Sequence, residues 1–322
     1  MKGHGYARVY GAATILNAVA TWKGSALGIE LATEAKVELN GSGTVRGDVP
    51  GVDTRLIERC VQMVLERFAW KGNSRTGPDG WGSAGAVGAV VRTSSEIPVA
   101  SGLKSSSTAA NAAVLAALDA LGGLELIDDL AADEQGAGTG RGLSAGDGRL
   151  IQAAKIGVEA ARSVGVTITG ALDDALASML GGVVVTDNRE MRLLKREELS
   201  CDVMLLIPDR KLFSRDTDVS RSRAIAPAAE AAFDLAMRGD YLRAMTINGL
   251  AYCAALRLPS EPIITALECG AAGASLSGTG PAYAAVIDGE RMDALQAAWQ
   301  PLGGRVIRTR ANNRRAYTGR GI

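Results

Sequence analysis

Two spacings of apolar residues alternate along the chain and divide it into strands and helices. Near the start, Ala35, Val37 and Leu39 alternate with polar residues, which is the period of a half-buried strand. We therefore expect this opening part of the chain to be extended. In residues 54–70 the apolar side chains instead form one stripe opposite a charged face, which predicts an amphipathic helix that begins after Asp53.

The rest of the chain continues this alternation and adds loops. Residues 108–121 are apolar on every side, which is typical of a buried helix. Residues 71–83 and 128–149 have the composition of surface loops, and 273–280 of a glycine-rich turn. Alternating strands and helices predict an α/β or α+β fold. The further predicted elements are strands at 28–33, 35–40, 84–93, 183–187, 203–208, 282–288 and 305–311, and helices at 150–163, 173–180, 224–238, 240–255, 261–270 and 290–299.

Composition excludes several classes of protein. Of 322 residues 47% are hydrophobic, which is enough for a folded core, and the length predicts two domains. The 35 basic residues balance the 35 acidic ones, so no net charge favours nucleic acid or an anionic membrane surface as a partner. No apolar run is long enough to cross a membrane, and we expect a cytoplasmic protein.

The chain is poor in the residues of common catalytic and metal sites. It contains a single histidine, His4, so a Ser-His-Asp triad, a two-histidine zinc site and acid–base catalysis by histidine are disfavoured. The four cysteines, Cys60, Cys201, Cys253 and Cys269, are far apart and form no C-x-x-C pair. We therefore interpret them as reduced core residues.

A small-residue loop that leads into the predicted buried helix is the strongest chemical signal. Free backbone N–H groups and the positive end of a helix dipole are what a phosphate chain needs. A serine-rich cap on a core helix is the alternative interpretation. The pattern is neither a Walker A loop, because the chain has no Gly-Lys dipeptide, nor a strict G-x-G-x-x-G. The candidate phosphate-binding residues are Pro98, Val99, Ala100, Ser101, Gly102, Leu103, Lys104, Ser105, Ser106, Ser107 and Thr108.

This segment resembles the phosphate-binding motif of the galactokinase, homoserine kinase, mevalonate kinase and phosphomevalonate kinase (GHMP) superfamily, P-x-x-x-G-L-G-S-S-A. Lys104 stands where most members have glycine, and the S-G-L-K-S-S-S form is similar to the archaeal-type shikimate kinases. The segments 11–20, 169–175, 273–282 and 308–313 agree with that family in the same order. The loops 71–83 and 128–149 look like additions to it.

The resemblance implies a fold and an activity. The fold would be an N-terminal α/β domain related to a ribosomal-protein fold and a C-terminal ferredoxin-like α/β sandwich, with residues 1–181 and 182–322 as the two domains. ATP and substrate would meet in the cleft between them. The activity implied is transfer of a phosphoryl group from ATP, with Mg²⁺, to the 3-hydroxyl of shikimate. Another small-molecule kinase, such as a homoserine kinase, and an inactive sensor are the alternatives, and we expect a monomer or a homodimer.

The same resemblance assigns roles to individual residues in and near the candidate phosphate-binding segment 98–108, called the phosphate loop below. Ser106 matches the residue expected at Mg²⁺, with Ser107 as its near rival. The carboxylate that joins it in some relatives comes from the helix before residue 169, where Glu159 is the candidate. A solvated helix glutamate is the alternative interpretation of Glu159.

Asp173 and Asp174 are the candidates for the base that accepts the proton of the substrate hydroxyl. Spacing to Gly181 matches the catalytic aspartate of most relatives and selects Asp174, whereas the local pattern Asp-x-Ala selects Asp173. A simple role in capping the following helix is the alternative.

Substrate contacts are expected from three parts of the chain. A carboxylate is held best by arginine, and Arg221 and Arg223 lie in a polar stretch that the family pattern places near the substrate. The turn at 273–280 would close over substrate and phosphates. The further candidate substrate-binding residues are Asn17, Lys23, Asn248, Ser277, Gly278 and Gly280.

Overall fold

The computed structural model describes residues 3–69, 87–98, 102–130, 144–209, 212 and 217–319. In chain order its strands are β1 (His4–Leu16), β2 (Lys23–Asn40), β3 (Val45–Gly47), β4 (Gly88–Ser95), β5 (Val183–Asp187), β6 (Arg192–Glu197), β7 (Asp202–Ile207), β8 (Gly273–Leu276), β9 (Tyr283–Val286), β10 (Arg305–Arg310) and β11 (Tyr317–Thr318).

The α-helices are given in the same way. They are α1 (Arg55–Phe68), α2 (Ser105–Leu121), α3 (Ala145–Ser163), α4 (Leu172–Leu180), α5 (Val219–Ala224), α6 (Ala226–Met237), α7 (Tyr241–Leu256), α8 (Glu261–Glu268) and α9 (Met292–Trp299). Short 3₁₀ turns occupy Leu124–Ile127, Gly289–Arg291 and Gln300–Leu302.

The first sheet is organised around the long strand β2. Its order is β11-β1-β2-β4-β3, and β5 also pairs with β2 and carries β6 on its other side. The first residues of β2, 23–27, pair with β5, whereas residues 33–40 pair with β4. All pairs are antiparallel except β3 with β4, which is parallel. One strand therefore joins the part of the sheet near the chain start to the part that follows α4.

The second sheet has the order β10-β7-β9-β8. Helices α5 to α8 connect β7 to β8, and α9 connects β9 to β10, so the chain runs β-α-β-β-α-β. This order confirms the predicted ferredoxin-like unit. Its core includes the fully buried Trp299 and Tyr252.

Helix α2 lies at the centre of the first core, as its apolar character predicts. Its residues from Ala110 to Leu121 are buried, and it packs against β1, β2, α1 and α3. The packing is close, because a Cβ on Gly5 of β1 would lie 2.0 Å from the carbonyl oxygen of Ala116. Glycine on the strand and alanine on the helix therefore allow the two backbones to approach. Among the described residues no single helix is long and apolar enough to span a membrane, although one pair bent by 107°, Ser105–Leu121 with Leu124–Leu130, passes that test on length and composition.

Several sequence-based element boundaries differ from the structure. The first sheet itself extends past residues 181–182, where the domain boundary is predicted, because β5 and β6 belong to it. The predicted loop 128–149 ends earlier, because Ser144 and Asp147 form a capping box that starts α3 at Ala145. Part of the predicted glycine-rich turn is strand β8. The division into two domains itself stays a prediction.

Candidate active site

The loop before α2 has a left-handed backbone at two positions. Gly102 has φ +84° and Lys104, the N-cap of α2, has φ +69°. A Cβ on Gly102 would lie 2.3 Å from the carbonyl oxygen of Ser277 and 2.9 Å from that of Gly280. Only glycine fits there, because the loop and the 277–280 turn are in backbone contact.

The first turn of α2 opens into a cavity of about 500 Å³. Ser105, Ser106 and Ser107 line this cavity, and within the described part of the chain no side chain caps the helix. Their N–H groups precede the first intrahelical bond, which runs from the Thr108 N–H to the Lys104 carbonyl. This end of α2 therefore offers backbone donors and a positive dipole to an anion.

The other residues of the predicted phosphate segment lie elsewhere. Thr108 is buried, and its hydroxyl donates to the carbonyls of Lys104 and Ser105 at 3.2 and 3.0 Å, so it supports the loop from behind. Leu103 is fully buried in the core. Pro98 is half-buried and does not line the cavity. Val99, Ala100 and Ser101 lie outside the described residues.

The turn at Gly278 is tied to the end of β1. Its N–H donates to the hydroxyl of Thr14 at 2.7 Å, and its carbonyl accepts from the side-chain amide of Asn17 at 2.8 Å. The hydroxyl of Ser277 donates to the carbonyl of Gly102 at 2.9 Å. Asn17, Gly278 and Gly280 all line the cavity. The turn therefore forms one wall whose position relative to the phosphate loop is set by hydrogen bonds.

Asp173 and Asp174 lie in the first turn of α4 and both line the cavity. The N-cap of α4 is Ala171, with φ +50°, and no side-chain capping bond is made at this helix start, which is fully within the described residues. The alternative that the two aspartates cap their own helix therefore has no support in the structure.

The carboxylate of Asp173 is enclosed. It accepts a hydrogen bond from the side-chain amide of Asn188 at 2.8 Å, and a Cβ on Gly24 would lie 2.5 Å from its Cγ. Burial, and then the charge of Asp174, raise the pKa of Asp173 to about 7, while Lys104 and the bond from Asn188 act in the opposite direction.

The carboxylate of Asp174 forms an ion pair across the cavity. Its Oδ1 lies 2.9 Å from the Nζ of Lys104, with side-chain exposures of 12% and 7%. Lys104 thus brings a positive charge from the phosphate loop to the acidic pair. Two carboxylates, one ammonium group and a helix N-terminus converge on one cavity, which suits the transfer of an anionic group to a hydroxyl.

The charged residues proposed for metal and substrate contacts are placed away from this cavity. Glu159 is exposed and pairs with Arg67 at 2.6 Å. Lys23 pairs with Asp187. Arg221 donates to the carbonyls of Ala255 and Ala254 at the end of α7, at 2.6 and 3.2 Å. These partners satisfy each charge where it lies, so the geometry does not support a direct role for Glu159, Lys23 or Arg221.

The remaining substrate candidates support the wall of the cavity. Asn248 is buried, and its Oδ1 accepts from the N–H of Asn17 at 3.0 Å. Ser277 is buried as well and holds Gly102. Arg223 is exposed on α5 and does not line the cavity.

Several residues of the site escaped the sequence analysis. Two of them, Asn188 and Gly24, lie against the carboxylate of Asp173. A third, Arg162, supports the segment before α4, because it donates to the carbonyls of Thr169 and Asn188 at 3.0 and 3.3 Å. Asn188 directly follows β5, and the run of valines at 183–185 in that strand was the local signal in the sequence. Among the described residues that line the cavity, the basic ones are Lys104 and Arg55, and Arg55 pairs with Asp53 at 2.6 Å.

Comparison with known proteins agrees with this geometry. The model of the GHMP kinases N terminal domain matches residues 55–182. The chain is 56% identical to the shikimate kinase of Methanothrix thermoacetophila over 98% of this chain and 96% of that protein, and 49% identical to the shikimate kinase of Methanosarcina mazei over 97% and 96%. The solved mevalonate kinase of Methanococcus jannaschii has the same fold, with a TM-score of 0.67 at 13% identity over 96% of this chain and 98% of that one.

The identities extend over nearly the whole chain, and the phosphate loop, the turn and the aspartate pair lie in one cavity of a shared fold. The chain belongs to the GHMP kinases, in the family of the archaeal shikimate kinases.

Proposed function

We infer that this chain is a shikimate kinase, which transfers the terminal phosphoryl group of ATP to the 3-hydroxyl of shikimate and releases ADP. The observation that carries the chemistry is the convergence of the α2 N-terminus and the Asp173–Asp174 pair on one cavity. The identity of the substrate is supported by relatives at 56% and 49% identity that are named shikimate kinases. A homoserine kinase activity is not favoured by these relatives.

The N-terminus of α2 supports binding of the phosphates of ATP. The N–H groups of Ser105, Ser106 and Ser107 face the cavity end of the helix, where donors and dipole stabilise negative charge without reorganisation. The contact between Gly102 and the 277–280 turn keeps these donors beside the opposite wall. Alignment of this kind supplies much of the catalysis of phosphoryl transfer.

The acidic pair supports acceptance of the hydroxyl proton. The hydroxyl oxygen forms a bond to the terminal phosphorus, the bond from that phosphorus to the bridging oxygen breaks, and the hydroxyl proton passes to a carboxylate. We propose Asp174 as the acceptor, because it lines the cavity and pairs with Lys104 from the phosphate loop. Asp173 remains the alternative, since its raised pKa makes it a stronger base than an exposed aspartate.

The donors in the cavity fit Mg²⁺ carried by ATP. Kinases hold this ion through phosphate oxygens and one or two protein oxygens. Ser106 and the two aspartates supply such oxygens, and the described residues contain no cluster of three or more acidic, histidine or cysteine side chains that would hold a metal alone. When bound, the ion neutralises charge on the phosphates. Glu159 is not proposed as a ligand, because Arg67 holds it elsewhere.

A coupled assay of ADP release tests this function. The purified chain with ATP and Mg²⁺ is expected to turn over shikimate and not homoserine or mevalonate, and ³¹P NMR should identify a phosphate ester of shikimate as the product. Asp174→Asn should lower kcat by at least ~10²-fold, with Asp293→Asn as the control for loss of an exposed carboxylate outside the cavity. Turnover of homoserine alone would reverse the assignment, and ATP binding without any turnover would favour an inactive sensor.

A further inference from the structure

Lys104 occupies a backbone conformation that a lysine adopts only at a cost. Its φ of +69° and ψ of +26° are left-handed, where a Cβ crowds the neighbouring carbonyl and glycine fits freely. Its side chain makes no capping hydrogen bond for α2. A helix start alone therefore does not explain a lysine here.

The direction of the side chain explains why a lysine stands at this position. Its Nζ reaches Asp174 Oδ1 at 2.9 Å and lies 3.2 Å from the point that a Cβ on Gly278 would occupy. The side chain is only 7% exposed, so the ammonium group is enclosed between the aspartate pair and the turn. The left-handed backbone of Lys104, directly before α2, sets the direction of this side chain.

The ionisable groups facing this ammonium group are few. Among the described residues, the acidic pair of α4 contributes Asp173 and Asp174, and Tyr252 of α7 interacts electrostatically with Asp173. Burial raises the pKa of Tyr252 well above its usual range, so the phenol stays neutral. Among the described residues that line the cavity, Lys104 is therefore the cation that lies against the acidic pair.

We propose that Lys104 is a positioning residue whose ion pair holds the carboxylate of Asp174 in place and directs it at the substrate hydroxyl. The part of this proposal that concerns the substrate hydroxyl rests on the proposed function, whereas the ion pair rests on the geometry alone. An enclosed ammonium group restricts the carboxylate to one position, and a fixed position is what transfer of a proton to a general base requires. Lys104 therefore acts on the reaction through Asp174.

Two substitutions separate this role from a structural one. Lys104→Gly suits the left-handed backbone and removes the charge, whereas Lys104→Met keeps the length of the side chain and removes the charge. We expect both to lower kcat by about 10²-fold and to change the KM for shikimate by less than about threefold, because the position of the base affects the reaction and not the binding of the substrate. A role limited to the helix start would instead leave Lys104→Gly as active as the unmodified chain, which would overturn the proposal.

A double-mutant cycle tests the route through Asp174. In the Asp174→Asn background, Lys104→Met should change kcat by less than about threefold, because the partner is already neutral. Effects that multiply in the double variant would refute the route. Lys195→Met is the matched control, since it removes a lysine whose ion pair with Glu197, at 3.0 Å, lies on β6 away from the cavity.

A measurement without substrate keeps the two proposals distinguishable. Inactivity of the unmodified chain on shikimate would refute the proposed function but not the pairing. In the free protein at one pH, the ¹⁵N NMR signal of the enclosed Lys104 ammonium group should shift or broaden in Asp174→Asn, whereas Asp293→Asn, at an exposed carboxylate, should leave it unchanged. An unchanged Lys104 signal in Asp174→Asn would overturn the proposal whatever the activity.

Discussion

The enclosed carboxylate of Asp173 makes the stability of the fold depend on pH. Its pKa of about 7, against 3.8 for an ordinary aspartate, is raised by burial and by the charge of Asp174. The difference of about three pKa units corresponds to roughly 4 kcal/mol at about 1.4 kcal/mol per unit. Because the folded state holds this proton more tightly, the stabilising effect is complete below pH 3.8 and is lost as the pH rises through 7.

Asp173→Asn removes this dependence while keeping a side chain of the same shape that can accept the bond from Asn188. Urea unfolding of both chains between about pH 4.5 and about pH 8.5 measures the difference in free energy of unfolding. We expect the variant to gain on the unmodified chain by several kcal/mol, up to roughly 4, as the pH rises over this range. Asp53→Asn, at an exposed carboxylate, controls for the general response of the chain to pH.

The neighbouring charge provides a second test of the same reasoning. In Asp174→Asn the repulsion that helps to raise the pKa of Asp173 is absent, so the pH dependence should be weaker than in the unmodified chain but still present. If the free energy difference between Asp173→Asn and the unmodified chain varies by less than about 1 kcal/mol across the range, the carboxylate is not held in a desolvated state and the reasoning fails.

Three further expectations follow from the same structure. Gly102→Ala should lower the free energy of unfolding by at least about 2 kcal/mol and raise the KM for ATP, because its Cβ would meet the carbonyl of Ser277 at 2.3 Å; Gly51→Ala, left-handed but with open space around it, is the matched control for urea unfolding and kinetics. Asp147→Asn should lower the free energy of unfolding by about 2 kcal/mol near neutral pH, because this buried carboxylate is paired with the half-exposed guanidinium of Arg315. Burial alone would raise the pKa of Asp147, but the hydrogen bonds from Arg315 and Ser144 lower it. The loss measured by urea unfolding should therefore shrink as the pH falls below 3.8. The rate constant kcat/KM for shikimate should fall on the acid side with an apparent pKa near 7, and Asp173→Asn should alter this limb of the pH–rate profile.

Elements with a regular apolar pattern were predicted well from the sequence. The stripe in 54–70 corresponds to α1 at Arg55–Phe68, and the predicted strand 183–187 coincides with β5, because local periodicity determines which face is buried. Strand β6 was missed, since its alternation is hidden by charged residues on an edge strand. Strand β8 was missed because its residues lie within the glycine-rich segment 273–280, and it forms a strand by pairing with β9 across the turn.

Helix α2 shows how a chemical signal can shift a boundary. The apolar run predicts a helix from residue 108 and leaves the serines before it in a loop. In the structure the helix begins at Ser105, so the three serines form its first turn. Polar residues are compatible with a first turn, because its N–H groups are not yet bonded within the helix.

The candidate site was predictable where a contiguous motif carries it. The phosphate loop and the Asp173–Asp174 pair each stand in a short segment, and the fold brings both to one cavity. The partners of the pair were not predictable, because Asn188 and Gly24 reach it through pairing of distant strands. The resemblance made Glu159 a candidate metal ligand, and its pairing with Arg67 was not predictable because a charged side chain on a helix gives no information about which partner it meets.

The small residues of this chain serve the site as well as the core. A carboxylate can be enclosed as Asp173 is only where the neighbouring strand leaves room, and Gly24 leaves that room by lacking a Cβ. Gly102 does the same for the contact between the phosphate loop and the turn. Any side chain at either position would push one half of the site away from the other. The raised pKa of Asp173, the ion pair of Lys104 with Asp174 and the opening of α2 toward the cavity therefore depend on the same close backbone packing, and substitutions at these glycines should disturb all three together.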